Sequence, residues 1–132
     1  MSDGVAVLQA IGAAFASRSR DALGRMFADD VVMHGTIGGL DEQRVMRGRE
    51  EVLDYFEEII DPWEGFTVDF EKVVKGPDDT YVVLMREVGR SPRADVEMVS
   101  ETAMVLRIRD GVVHEMRGYL DRDAALAAAG VS

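Results

Sequence analysis

The sequence predicts a single α+β domain over residues 1–132, with helices first and an antiparallel sheet after them. Apolar residues recur at helical spacing through the first 60 residues, and from residue 66 onward they alternate with polar residues as in strands. The pair Asp110-Gly111 between two alternating runs is a strong β-hairpin signal. Helices grouped ahead of a strand meander are typical of domains in which the helices pack on one face of a bent sheet.

Three helices are predicted before the meander. The first covers residues 3–17, and the second covers residues 20–28 with Ser19 as its N-cap. The third covers residues 49–60, where apolar side chains share one face, and the proline at position 62 prevents it from continuing.

A short strand and a loop are predicted between the second and third helices. The run DDVVMH indicates a strand over residues 29–34. Residues 35–48 are rich in glycine and polar residues, which indicates a loop.

The second half of the chain predicts four strands and a closing helix. The strands are expected at residues 66–75, 81–89, 96–109 and 112–120. Residues 121–130 read as a short helix, with Asp121 as its N-cap and Gly130 just past its end.

Composition and charge exclude several classes of function. The chain has 132 residues and no cysteine, so disulfides and thiolate metal sites are excluded, and a cytoplasmic location is expected. A net charge of −10 would repel a phosphate backbone, so we expect no nucleic-acid partner. No apolar run is long enough for a membrane span, and two histidines with scattered acids give no metal-ligand spacing.

Three stretches carry a resemblance to a known family: RDALGRMFADDVVMHG, MRGREEVLDYFEEI and VLRIRDGVVHEMRGYLDRDAAL. In this order and spacing the chain resembles the SnoaL-like proteins of the nuclear transport factor 2-like superfamily. The resemblance implies a cone-shaped, curved, mixed or antiparallel sheet wrapped around three N-terminal helices, with a short C-terminal helix. It also implies a deep, mostly apolar pocket. Members of the superfamily include ketosteroid isomerases, polyketide cyclases, epoxide hydrolases and ligand binders, so the fold does not select a function.

The resemblance also implies that the usual catalytic groups are missing. The positions of the isomerases' base, oxyanion tyrosine and protonated aspartate are matched by Gly35, a residue near Ile11 and a residue near Met104. In the epoxide hydrolases the second aspartate would fall at Gly118, and the arginine–aspartate pair is matched only approximately by Arg86 and Glu87.

Strand alternation points to other polar residues for the pocket. If Gly35 faces inward, Glu87, Thr102 and His114 share the inward faces of their strands. A carboxylate that orients an imidazole would make a general base near neutral pH, so His114 with Glu87 is the candidate catalytic pair. Thr102 or Ser100 would offer a hydrogen bond. The alternative is a structural pair, or two rim residues in water.

Apolar residues give the candidate ligand-binding set, which together with Thr102 is Met33, Phe56, Trp63, Met85, Met104 and Met116. Methionine adapts to irregular apolar shapes, so the methionines indicate a soft lining for a hydrophobic small molecule, or ordinary core filling. Trp63 and Phe66 would cover the pocket mouth, or Trp63 would plug the core.

Two predictions concern the outer face of the sheet. His34 is expected to point away from the pocket, as a cap or interface histidine, unless a bulge reverses it. Val99, Ala103 and Val105 make the outer face half apolar, and such a face needs a cover. We therefore expect a homodimer formed through the sheet.

Three functions fit these features. The first is a cofactor-independent enzyme of the isomerase, cyclase, dehydratase or hydrolase type, with His114 as acid/base. The second is a non-catalytic binder of a small hydrophobic molecule, and the third is a dimerisation module.

Overall fold

The computed structural model describes residues 3–17, 19–62, 64–91 and 95–131. The helices in these ranges are α1 (Asp3–Ser17), α2 (Arg20–Gly24), α3 (Arg49–Ile60) and α4 (Arg122–Ala128). The strands are β1 (Phe27–Ile37), β2 (Val45–Arg47), β3 (Glu64–Lys75), β4 (Thr80–Ser91), β5 (Val96–Arg109) and β6 (Val112–Tyr119).

The strands form one open, mixed sheet in the order β2-β1-β6-β5-β4-β3. Strands β6 to β3 form the antiparallel meander that the alternation predicts. The first long strand, β1, lies parallel to β6 and joins the two halves of the chain. The predicted α+β class, with helices ahead of the sheet, is confirmed.

The predicted second helix is too long. Ser19 caps α2 as predicted, and its Oγ accepts a hydrogen bond from the Ala22 N–H at 3.1 Å. The helix ends at Gly24, however, and β1 already begins at Phe27. Tertiary pairing accounts for the difference, because Val113 of β6 pairs with Phe27 and donates to the Met26 carbonyl at 2.8 Å.

The predicted loop at 35–48 is also partly wrong. Its first residues, 35–37, belong to β1, and residues 45–47 form the short edge strand β2, whose Met46 is buried opposite Met33 of β1. Three residues are too few to show an alternation in the sequence, so β2 carried no signal of its own.

The two faces of the sheet are covered differently. Helices α1, α2 and α3 pack on the inner face and share the main hydrophobic core with it. Helix α4 packs on the outer face, where Ala125 and Ala129 meet Val82 and Ala103 in a second, smaller cluster. The helix therefore supplies part of the cover that the outer face needs, while Val96 and Val99 of β5 stay exposed.

The hairpin between β5 and β6 has the predicted turn and a bulge. Asp110 and Gly111 both have positive φ, at 54° and 78°, as a type I′ turn requires. Beyond the turn, Ile108 pairs with Val113 but Arg107 pairs with Glu115, so His114 is an extra residue in β6.

Candidate functional site

A cavity of about 120 Å³ lies between α1, α3 and the inner face of the sheet. Its walls are mainly aromatic rings and methionines. The rings include Phe15, Phe27, Phe56, Phe66 and Phe70. Five polar residues reach the wall, namely Thr36, Tyr55, Glu87, Thr102 and Tyr119.

The structure places six of the seven residues of the candidate ligand-binding set on this wall. They are Met33, Phe56, Met85, Thr102, Met104 and Met116. The seventh, Trp63, lies outside the described residues. For the five strand residues the placement follows from the inward faces that the strand periodicity predicts, and Phe56 lies on the apolar face of α3. A role in ligand binding stays a prediction.

Glu87 is the carboxyl group that the strand pattern turns into the cavity. The Thr102 hydroxyl donates a hydrogen bond to Glu87 Oε1 at 3.1 Å, and Thr102 itself is buried. Burial raises the pKa of the Glu87 carboxyl above its ordinary value, and the hydrogen bond from Thr102 lowers it in part. This carboxyl therefore takes up a proton more readily than one in water.

Strand register sets the surroundings of Glu87. Val68 of β3 lies directly opposite it on one side, and Ser100 of β5 on the other. Phe66 and Phe70 lie two residues to either side of Val68 on β3. They are therefore on the same face of the sheet as Glu87, and both line the cavity.

The charged residues on these strands occupy the other face. The register places Arg86 of β4 between Asp69 of β3 and Glu101 of β5, one position along from the inward-facing residues. Asp69 and Glu101 are exposed. Their charges are therefore separated from Glu87 by the sheet.

The raised pKa of Glu87 predicts how stability depends on pH. The folded state holds this proton more tightly than the unfolded chain does. Ionisation of Glu87 therefore lowers the free energy of unfolding as the pH rises above the unfolded pKa of about 4.3. We expect Glu87→Gln to be more stable than the natural chain at neutral pH, with the difference disappearing at about pH 4 and below. Urea melts at a series of pH values measure this. A Glu87→Gln difference that is constant with pH would contradict the assignment.

His114 is not part of the cavity wall, where the strand alternation was expected to place it. The bulge in β6 breaks the alternation, so Val113 and Met116 are both buried in the main core. The Nε2 atom of His114 is buried without a hydrogen-bond partner among the described residues. The structure therefore does not bring His114 and Glu87 together as a cavity pair.

His34 lies on the face opposite Met33, as the alternation predicts. Its Nε2 is 2.9 Å from Oε2 of Glu115, an exposed residue on the neighbouring strand β6. The histidine that directly follows the apolar part of β1 is thus a partner in a surface pair, away from the cavity.

A second polar cluster on the wall was not predicted. The Tyr55 hydroxyl of α3 donates to Asp41 Oδ2, and Asp41 Oδ1 accepts a hydrogen bond from the Thr36 N–H at 3.3 Å. Burial first, and then the bond to Asp41, raise the pKa of the Tyr55 hydroxyl, so it remains a donor. Asp41 comes from the loop between β1 and β2, which folds back over Gly35. The helical spacing of Tyr55 from Val52 and Ile59 is a signal for its burial, but nothing in the sequence indicates its partner.

In the described part of the chain, no group of three or more His, Cys, Asp or Glu side chains is placed to bind a metal ion. None of the helices in that part of the chain combines the length and the apolar character needed to cross a membrane.

The family model of the SnoaL-like domain matches residues 8–116 of this chain. No match was found among the curated proteins. Many solved structures are similar to this chain.

Three of these structures illustrate the likeness. A Catenulispora acidiphila protein with a ketosteroid isomerase-like fold, in complex with trimethylamine, is 21% identical, with a TM-score of 0.75 over 96% of this chain and 93% of that one. RV0760c from Mycobacterium tuberculosis, in complex with estradiol-17β-hemisuccinate, is 19% identical, with a TM-score of 0.75 over 93% and 97%. The Δ5-3-ketosteroid isomerase from a Mycobacterium species is 22% identical, with a TM-score of 0.74 over 94% and 97%.

Proposed function

Because the chain belongs to the SnoaL-like domain family, with the model matched over residues 8–116, we propose that its cavity binds a small hydrophobic molecule. The apolar body of the ligand would contact the methionines and aromatic rings. Its polar end would meet Glu87 and Thr102, the carboxyl and hydroxyl that share a hydrogen bond on the cavity wall.

The cavity itself is the observation that carries this proposal. Pockets for small molecules are mostly apolar, with a few polar groups that fix the ligand's orientation, as here. An engineered apolar cavity of about 150 Å³ holds benzene, so the present cavity of about 120 Å³ suits a ligand with a single ring or a branched aliphatic group. Two of the similar structures were solved with small organic molecules, which supports a binding role for this fold.

Toluene is a suitable probe, because it has one ring and no polar group. A ligand that binds only the folded state raises the melting temperature with increasing concentration. We expect toluene to stabilise the natural chain in this way and to have no such effect on Met104→Trp, whose larger side chain would fill the cavity.

Met98→Trp is the matched control. Met98 lies on the same inward face of β5 as Met104 but does not line the cavity, so its variant should keep the response to toluene. The proposal fails if toluene does not stabilise the natural chain, or if it stabilises Met104→Trp equally.

Glu87 also favours an isomerase-type enzyme as a second candidate function. A carboxyl whose pKa is raised by burial is a better proton acceptor than one in water, which favours proton-transfer catalysis. In that case Glu87, with the Thr102 hydroxyl, would replace His114 as the acid/base group. Loss of turnover in Glu87→Gln, with binding retained, would distinguish the enzyme from the binder.

The homodimer expected from the half-apolar outer face stays a proposal as well. Since α4 covers Val82 and Ala103, a second copy would contact the end of the sheet near Val96 and Val99. Sedimentation of the full chain measures its oligomeric state.

A further inference from the structure

Glu87 is a carboxyl group in an apolar cavity, and the described part of the chain supplies no positive partner for it. Among the described residues its side-chain hydrogen bond comes from Thr102, and no Lys, Arg or His side chain forms an ion pair with it. By contrast, the Tyr55 hydroxyl on the same wall is already bonded to Asp41. A positive charge on a ligand would therefore supply the partner that Glu87 lacks.

Aromatic rings line the same cavity as Glu87. Phe70 of β3 pairs with Met85 and is therefore diagonal to Glu87, and Phe66 of β3 and Phe15 of α1 also line the cavity. Phe15 also packs edge-on against Phe56, with 5.0 Å between the ring centroids. Rings attract cations through their faces, and enclosures of rings are the usual sites for alkylammonium groups.

We propose that the ligand's polar group is a protonated amine, held by the Glu87 carboxylate and the aromatic rings of the cavity. This rests on the proposed function and specifies it: the ligand is a small lipophilic amine, with its hydrocarbon part against the methionines. Thr102 positions the acceptor, because its hydroxyl donates to Oε1 and leaves Oε2 for the ammonium group.

The electrostatics of the cavity fit a cation better than an anion. The titratable residues that line the wall besides Glu87 are Tyr55 of α3 and Tyr119 of β6, and residues 4–17 of α1 contain no titratable side chain. Asp69, Arg86 and Glu101 lie on the opposite face of their strands. An ammonium group beside Glu87 favours the ionised carboxyl and so opposes the effect of burial on it.

Three probes of similar size separate the charge from the hydrocarbon: benzylamine, benzyl alcohol and toluene. We expect calorimetry on the full chain at neutral pH to show benzylamine binding about tenfold more tightly than either neutral probe. In Glu87→Gln, which keeps the shape of the side chain, the preference for benzylamine should disappear while toluene still binds. Glu101→Gln, which changes the charge by the same amount on the outer face, should keep the preference.

The outcomes separate this inference from the proposed function. If toluene and benzyl alcohol bind but benzylamine binds no more tightly, the amine assignment is overturned and the hydrophobic pocket stands. If Glu87→Gln keeps the preference, or Glu101→Gln loses it equally, Glu87 is not the counter-ion. If none of the three probes binds, both proposals fail.

Discussion

Gly35→Ala is expected to destabilise the fold by about 3 kcal/mol, because overpacking against fixed backbone is costly. A Cβ atom at this position would lie 1.7 Å from the Asp41 carbonyl oxygen, so the loop between β1 and β2 would have to move. The same loop is tied to the strand where the Gly35 N–H donates to the Arg44 carbonyl at 2.8 Å. Its displacement would also break the bond from Tyr55 to Asp41.

Urea denaturation of the full chain measures this loss of stability. Gly12→Ala is the matched control, since a Cβ there would meet the Phe70 ring at an ordinary 3.7 Å within helix α1. Alanine is a better helix former than glycine, so this control should be neutral or slightly stabilising. A Gly35→Ala protein as stable as the natural chain would show that the loop does not pack on β1 in this way.

Phe56→Ala is expected to cost about 3–5 kcal/mol, the usual range for deleting a buried phenylalanine ring. Phe56 of α3 is 8% exposed and is the centre of an aromatic cluster. Its ring centroid lies 5.0 Å from that of Phe15 and 6.1 Å from those of Phe27 and Tyr55. Because Phe56 also lines the cavity, its removal enlarges the space that a ligand can fill.

Added toluene should therefore recover part of the stability that Phe56→Ala loses, in proportion to ligand concentration. Thermal melts with and without toluene test this, with Phe56→Leu as the milder variant that keeps most of the buried volume. A small loss of stability in Phe56→Ala, or a loss that toluene does not reduce, would contradict the placement of Phe56 between core and cavity.

The sequence predicted the long elements well because each is long enough to show its period. Helix α3 and strand β5 have the predicted bounds, 49–60 and 96–109. The start of β1 at Phe27 was missed because pairing with Val113, far away in the chain, overrides the local helical pattern. The parallel pairing of β1 with β6 also joins residues that are far apart in the chain, so local periodicity could not predict it.

The candidate site, too, could be predicted only in part. Alternation correctly placed Glu87, Thr102 and the methionines on the cavity wall, since each lies in a regular stretch of its strand. His114 does not line the cavity as expected because it is itself the extra residue of a bulge in β6, where the alternation is interrupted. The bond between Tyr55 and Asp41 depends on how a loop folds over Gly35, which no periodicity encodes.

The most direct measurement of the central claim is NMR of the methionine methyl groups in the presence of toluene. The methyls of four methionines, Met33, Met85, Met104 and Met116, line the cavity, whereas Met26 and Met98 do not. We predict intermolecular NOEs between toluene and the four cavity methyls, with none to Met26 or Met98. NOEs confined to Met26 or Met98, or none to any of the four, would show that the hydrophobic molecule does not bind in this cavity.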